Sequence, residues 1–341
     1  MKKSYATLAV GFLMVVVGIT LADRAPVLRP EKDTDGKALP FGRRPHQPNT
    51  MPLGTGPFKA IMAEDQSLPD HTLYYPANME AAGTLPVITW GNGACLNAGN
   101  RFRDFLTEIA SHGFLVVSGG PIANIKYEVG PQENPSVPAP GSAPEPRGQG
   151  QRATPPPPAP GDATGRNTAP QMITALDWAE KANKDLASKF YNKLDTSEMG
   201  VGGQSCGGGL ATTVAADPRI KAVALFSGAG GNANGTSALE AFHAPLLLIA
   251  GDAAHDIAHQ RTLDTFAAIT KIPVLLAWQD NLTHIGTYGM PNGGELGRIG
   301  WRWYAWQLRG DKKAANTFKG SDCVLCKETA DGWHVTKKMI D

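Results

Sequence analysis

Ser205 lies in the run Gly203-Gln204-Ser205-Cys206-Gly207, a serine with a glycine two positions away on either side. A serine hydroxyl is a weak nucleophile until a turn exposes it and a base stands within hydrogen-bond reach. The flanks are of the right kind for that. Residues 199–202 are short and partly apolar, as a strand entering a turn would be, and residues 208–216 are small and read as a helix. Strand, tight turn and helix form the context of a nucleophile elbow. Small residues let strand and helix pass close to the serine, and the first helical turn points free N–H groups at negative charge developing beside it. A glycine-rich turn with an incidental serine would carry the same five letters, so the partners decide.

Serine-based acyl transfer needs a base for the hydroxyl proton and an acid to orient that base. On a parallel α/β sheet the chain order is serine, then Asp or Glu, then His. The strand expected at 245–250 runs into Gly251-Asp252-Ala253-Ala254-His255-Asp256, and the strand expected at 272–277 is followed by Asn281-Leu282-Thr283-His284. Asp256 is assigned as the acid and His284 as the base. Asp252 is the rival acid; it follows the strand at once, whereas Asp256 lies further out on a loop that can reach a histidine. The small residues after His284, Gly286 and Gly289 among them, let an imidazole project over the serine, although an ordinary surface histidine could occupy the same loop. His255 and His259, with Asp252 or Asp256, also admit a metal-site reading, but no further ligand group is evident, and no cofactor or metal is expected. The tetrahedral oxyanion needs two donors. One is assigned to the N–H of Cys206 and the other to Ala94, with Gly93 as second choice, in the glycine-rich stretch 91–95.

These residues need a scaffold that gathers strand ends. Residues 58–62 and 71–75 read as short strands around a turn at 68–70 and could form the antiparallel edge of a mixed sheet. Residues 85–90 read as a central strand. Residues 102–111 carry Phe102, Phe105, Leu106 and Ile109 at helical spacing, and 114–117 is the next strand, so the unit is βαβ with parallel strands. A helix at 172–186, strands at 199–202, 223–226, 245–250 and 272–277, a helix at 262–269 and a closing aromatic helix at 299–308 complete the pattern, with 272–277 as the last strand. The tryptophans of that closing helix read as core. The expected fold class is α/β, a mostly parallel central sheet with helices on both faces.

The chain has 341 residues, with 32 basic and 31 acidic side chains and a net charge of +1, so no charged block suggests nucleic acid or an anionic membrane as partner. Lys2 and Lys3 precede an apolar run at 6–19 and a small-x-small ending at 20–22, which reads as a signal peptide over 1–22. An N-terminal membrane anchor is the competing reading, but the run is short for a span. The expected organisation continues with a flexible leader at 23–55, one domain at 56–318 carrying a Pro/Gly-rich insertion at 130–168, and a C-terminal tail at 319–341. Export, to the periplasm or beyond the cell, would place the four cysteines in an oxidising compartment. Cys95 and Cys206 belong to two loops that converge on one site and are expected to pair, the other outcome being two buried thiols. Cys323 and Cys326 are close enough for a local disulfide; as half of a zinc site they would lack a second pair.

The stretches TWGNGAC at 89–95, LDWAEKAN at 176–183, GGQSCGG at 202–208, HDIAH at 255–259 and THIGTYGMPNGG at 283–294 resemble the α/β-hydrolase superfamily. Within it they are most similar to secreted serine hydrolases of the dienelactone hydrolase, cutinase-like and polyester depolymerase-like branches. The likeness covers roughly 56–310. It implies an α/β-hydrolase fold, a Ser205–Asp256–His284 triad with Asp256 in the acid position, and carboxylic esters, small or polymer-borne, as the substrate class. The Pro-rich insertion and the cysteine beside the serine depart from cutinase-like members. An amide or peptide hydrolase uses the same machinery, and a non-catalytic secreted binding protein could keep the fold.

Overall fold

A computed structural model describes residues 53–123, 165–228 and 237–341 of the chain. The signal peptide and nearly all of the leader expected at 1–55, and most of the insertion expected at 130–168, lie outside the described residues.

Among the described residues nine strands form one sheet: β1 (Ala60–Ala63), β2 (His71–Pro76), β3 (Leu85–Gly91), β4 (Leu115–Gly119), β5 (Leu194–Gln204), β6 (Ile220–Phe226), β7 (Leu246–Gly251), β8 (Val274–Gln279) and β9 (Trp333–Lys338). Their spatial order is β1-β2-β4-β3-β5-β6-β7-β8-β9. The six strands from β4 to β8 are mutually parallel, while β1 and β2 at one edge and β9 at the other run antiparallel. The helices are α1 (Met79–Ala82), α2 (Arg103–Ser111), α3 (Ala169–Lys184), α4 (Cys206–Val214), α5 (Ser237–Glu240), α6 (His259–Ala268), α7 (Gly294–Arg309), α8 (Lys312–Ala315) and α9 (Val324–Lys327).

Strand side chains alternate between two cores because the strand period is two. In β3, Leu85 and Val87 join a core with Met172, Leu176 and Trp178 of α3 and with Ala211 and Val214 of α4. Ile88 and Trp90 of the same strand point the other way, into Phe105 and Ile109 of α2 and Ile299, Trp303 and Tyr304 of α7. Helices therefore cover both faces, and the molecule has the α/β-hydrolase fold. Thr168 caps α3 by accepting from the Gln171 N–H, and Gly310, in the left-handed region, ends α7. Among the described residues no helix is long and apolar enough to cross a membrane.

The C-terminal segment is not a trailing tail. Residues 333–338 add β9 beside β8, so 272–277 does not contain the last strand. The alternation of Trp333-His334-Val335-Thr336-Lys337-Lys338 explains why. Trp333 is buried in the core, and His334 stacks on Trp278 at a ring separation of 3.7 Å. Lys338 Nζ donates to the carbonyls of Phe266, Ala267 and Ile269 at the C-terminal end of α6. A lysine there answers the negative end of that helix and blunts an open sheet edge. Cys323 and Cys326 are joined as a disulfide in the turn that leads to this strand.

Candidate active site

The parallel strands deliver the predicted residues to one end of the sheet. β5 ends at Gln204, and Ser205 follows as the residue preceding α4 with φ 52° and ψ −120°. That is an unfavourable conformation for a residue with a Cβ, and the surroundings hold it. The Ser205 N–H donates to the Phe226 carbonyl at 3.0 Å, and the Gly209 N–H donates back to the Ser205 carbonyl at 3.2 Å. The motif's glycine spacing also has a steric cause. A Cβ on Gly207 would lie 2.0 Å from the Gly91 carbonyl oxygen, so only glycine lets α4 start this close to the end of β3.

His284 stands between serine and acid. Its Nε2 is 2.8 Å from Ser205 Oγ, and its Nδ1 is 2.7 Å from Asp256 Oδ1. Asp256 is almost completely buried. Its Oδ1 also accepts from the Ala258 N–H at 2.8 Å, and its Oδ2 accepts from Ser227 Oγ at 2.7 Å and the Gly251 N–H at 2.9 Å. Burial works against its charged form, but the hydrogen bond and charge of His284, with the bonds from Ser227 and Gly251, outweigh it and hold the carboxyl below the ordinary range. The acid therefore stays ionised, and its bond to Nδ1–H leaves Nε2 as the acceptor facing the serine hydroxyl.

Asp252, the rival acid, turns to other work. Its carboxylate accepts from the backbone of Ala254 and His255, from the His255 ring at 2.7 Å and from the Asn281 N–H at 2.6 Å. It braces the loop after β7 against the loop after β8 and does not contact His284. His259 directs Nδ1 to the Gly251 carbonyl at 2.7 Å. The histidines of the metal-site reading are thus engaged within their own loop, and among the described residues no group of three or more His, Cys, Asp or Glu side chains is arranged to hold a metal ion.

On the other side of Ser205 lies the turn Gly93–Cys95. Ala94 and Cys95 both adopt left-handed backbone, with φ 56° and 50°. Asn92, fully buried, shapes this turn: its amide donates to the carbonyls of Leu96, Ala98 and Gly119, and its Oδ1 accepts from Ser118. The turn places the Ala94 backbone at the surface and Cys95 against α4, where Cys95 and Cys206 are bonded with their Cα atoms 5.2 Å apart. The bridge therefore joins Cys206, one predicted donor, to the residue that directly follows Ala94, the other. Gly93 packs inward, where an added Cβ would meet the Gln204 side chain.

Sequence reasoning missed four supports. Gln204 donates to the His284 carbonyl at 2.8 Å, fixing the histidine loop from the elbow itself. Ser227 orients the acid, Asn92 shapes the turn, and Tyr288 anchors the histidine loop, its buried ring edge-on to Phe102 and Phe105 at 4.9 and 5.3 Å. Only the asparagine in a glycine run carried a local signal, since such residues favour turns.

Gly228 makes a testable contact. A Cβ there would sit 2.4 Å from both the N and O atoms of Ser205, which are backbone and cannot swing aside. Gly228→Ala is expected to cost about 1–3 kcal/mol of stability. By displacing the serine it should also lower kcat by about a hundredfold. Thermal unfolding and ester turnover measured on one preparation check both; a variant with normal kcat would show that the elbow tolerates the shift.

A family model described as PETase: PET hydrolase-like matches residues 163–286. The matched stretch begins just before α3, contains Ser205, Asp256 and His284, and leaves out the turn bearing Ala94. Over it the chain is similar to PET hydrolases. A search of curated proteins finds no match.

Proposed function

We propose that this protein is an exported serine esterase that hydrolyses short-acyl carboxylic esters, free or displayed on a polymer. The observation that carries this reading is the unbroken hydrogen-bonded chain from Ser205 Oγ through His284 to buried Asp256. In the reaction Ser205 Oγ attacks the ester carbonyl carbon while its proton passes to His284 Nε2. The carbonyl oxygen becomes an oxyanion facing the N–H groups of Ala94 and Cys206. Collapse breaks the bond to the alcohol oxygen, which takes the proton from His284. Water then enters, gives its proton to His284 and attacks the acyl-enzyme, and release of the acid returns that proton to Ser205. Asp256 keeps the imidazole in the required tautomer and stabilises its cationic form.

The basic and apolar N-terminus and the two disulfides support export. The PET-hydrolase-like match supports polymer-borne esters as part of the substrate class. Labelling by a fluorophosphonate, located by peptide mass spectrometry, tests the enzyme reading. Modification at Ser205 supports it, and an unlabelled folded protein would instead indicate a non-catalytic member of the fold.

Acyl length follows from what surrounds the serine. The apolar side chains of α2, α3, α4 and α7 are largely used in the two cores, and among the described residues flanking the site residues in the chain Ile257 is exposed and Leu96 and Ile285 are half-buried. Across p-nitrophenyl esters from acetate to palmitate, kcat/KM is expected to peak at the short end. A maximum at long chains, enhanced at an oil–water interface, would overturn this.

A further inference from the structure

We propose that Arg166 is a specificity-determining residue of this site, and that the preferred ester carries an anionic group, such as a carboxylate, beside the scissile bond. This deepens the esterase reading and rests on it. Arg166 Nη2 lies 3.5 Å from Sγ of Cys206, the residue directly after Ser205. The guanidinium thus stands at the rim on the side of the assigned oxyanion donors.

Its backbone is rigidly placed. Arg166 forms an antiparallel bridge with Leu96, and the Asn167 N–H donates to the Cys95 carbonyl at 2.7 Å. Asn167 is buried and accepts from the Asn92 N–H, while its amide donates to Asn97 and Gln171. One residue later Thr168 caps α3. Arg166 therefore projects from a strut joining the turn at Ala94 to a long helix.

Among the described residues its charge is also uncommitted. Arg219 is held by Asp217 and Asp177, and Arg298 by Glu295 and Glu328. Among the described residues Arg166 has no carboxylate within ion-pairing distance, and its side chain is exposed. Two acids of the site's loops are held by other partners: Asp256 is buried under its own donors, and Asp252 is tied to His255 and Asn281. A guanidinium is a planar fork that takes a carboxylate through two parallel N–H bonds. An ester whose anionic substituent extends past the oxyanion side meets that fork; a neutral ester gains nothing from it.

The test compares matched pairs: para-acetoxybenzoate with its methyl ester, which puts the charge on the alcohol side, and monomethyl adipate with dimethyl adipate, which puts it on the acyl side. For at least one pair the ratio of kcat/KM, anionic over neutral, is expected to fall about tenfold in Arg166→Gln. Arg166→Lys should retain part of the preference, because it keeps the charge and loses the fork. In the unsubstituted protein the ratio should decline as salt is raised. An unchanged ratio for both pairs in Arg166→Gln would overturn the inference. So would an equal loss on both members of each pair, which would mark a general contribution to the oxyanion or to structure. If the unsubstituted protein cleaved none of the four esters, the esterase reading itself would fall, and this inference with it.

Discussion

Ser205→Ala is expected to lower ester turnover by about 10⁴- to 10⁶-fold while the protein folds as before. The large loss follows from the geometry. Ser205 Oγ is the group 2.8 Å from His284 Nε2, and without it the base has no hydroxyl to activate. The intact fold follows from what the substitution leaves in place. Alanine keeps the Cβ, so the strain at φ 52° is the same in both proteins. The bonds that hold the elbow, from the Ser205 N–H to Phe226 and from Gly209 to the Ser205 carbonyl, are backbone bonds and survive. Burst-free steady-state kinetics on p-nitrophenyl acetate, with circular dichroism and thermal unfolding as controls, check the result. Activity within about tenfold of the unsubstituted protein would remove Ser205 from the mechanism.

Asp256→Asn should lower kcat by about 10⁴-fold, and Asp252→Asn by much less. Asp256 receives four donors on two oxygens: His284 and Ala258 on one, Ser227 and Gly251 on the other. An asparagine has one carbonyl oxygen, so its NH₂ must face one of those donor pairs. If it faces His284, the imidazole turns over to the tautomer that presents N–H to Ser205. If it faces Gly251, two donors oppose each other in a buried site, and the fold is weakened. Asp252→Asn loosens the brace to Asn281 and His255 but leaves the His284–Asp256 bond intact, so its effect should stay below about a hundredfold. Ranking kcat/KM of both variants on one ester checks the assignment; the reverse order would make Asp252 the acid. The stability effect carries its own sign. Because the folded protein holds Asp256 below the ordinary carboxylate range, its stabilisation is complete above about pH 4, the unfolded value, and fades as pH falls through the folded one. The stability gap between the unsubstituted protein and Asp256→Asn should therefore narrow in acid.

The trio was legible because each member follows a strand, and strands can be read from local apolar runs. Asp256 could be separated from Asp252 by loop reach, a distinction that the structure realises as one bond to His284 and another to Asn281. What could not be read depends on contacts between distant segments. Gln204 meets His284 across 80 positions, and neither residue alone announces the bond. The turn at Ala94 was expected where glycines were dense, yet the left-handed backbone falls on Ala94 and Cys95, held there by buried Asn92 and the bond to Cys206. Strand β9 escaped notice because His334, Lys337 and Lys338 make it look solvated; its place rests on Trp333 filling the core and on lysine stems ending at carbonyls of other elements.

The bond between Cys95 and Cys206 closes a covalent ring across 111 positions, which in the chain-entropy account restrains the unfolded chain by about 5 kcal/mol. That ring holds α2, β4, α3, β5 and the segment between β4 and α3. A protease cutting the main chain anywhere inside it leaves two polypeptides still joined through sulfur. For a cut between β4 and α3 the first piece carries Ala94, and the second carries Ser205, Asp256 and His284. The sulfur link would keep Ala94, one of the two assigned oxyanion donors, joined to the nucleophile's fragment after the peptide chain between them is cut, so the nicked enzyme would remain one molecule.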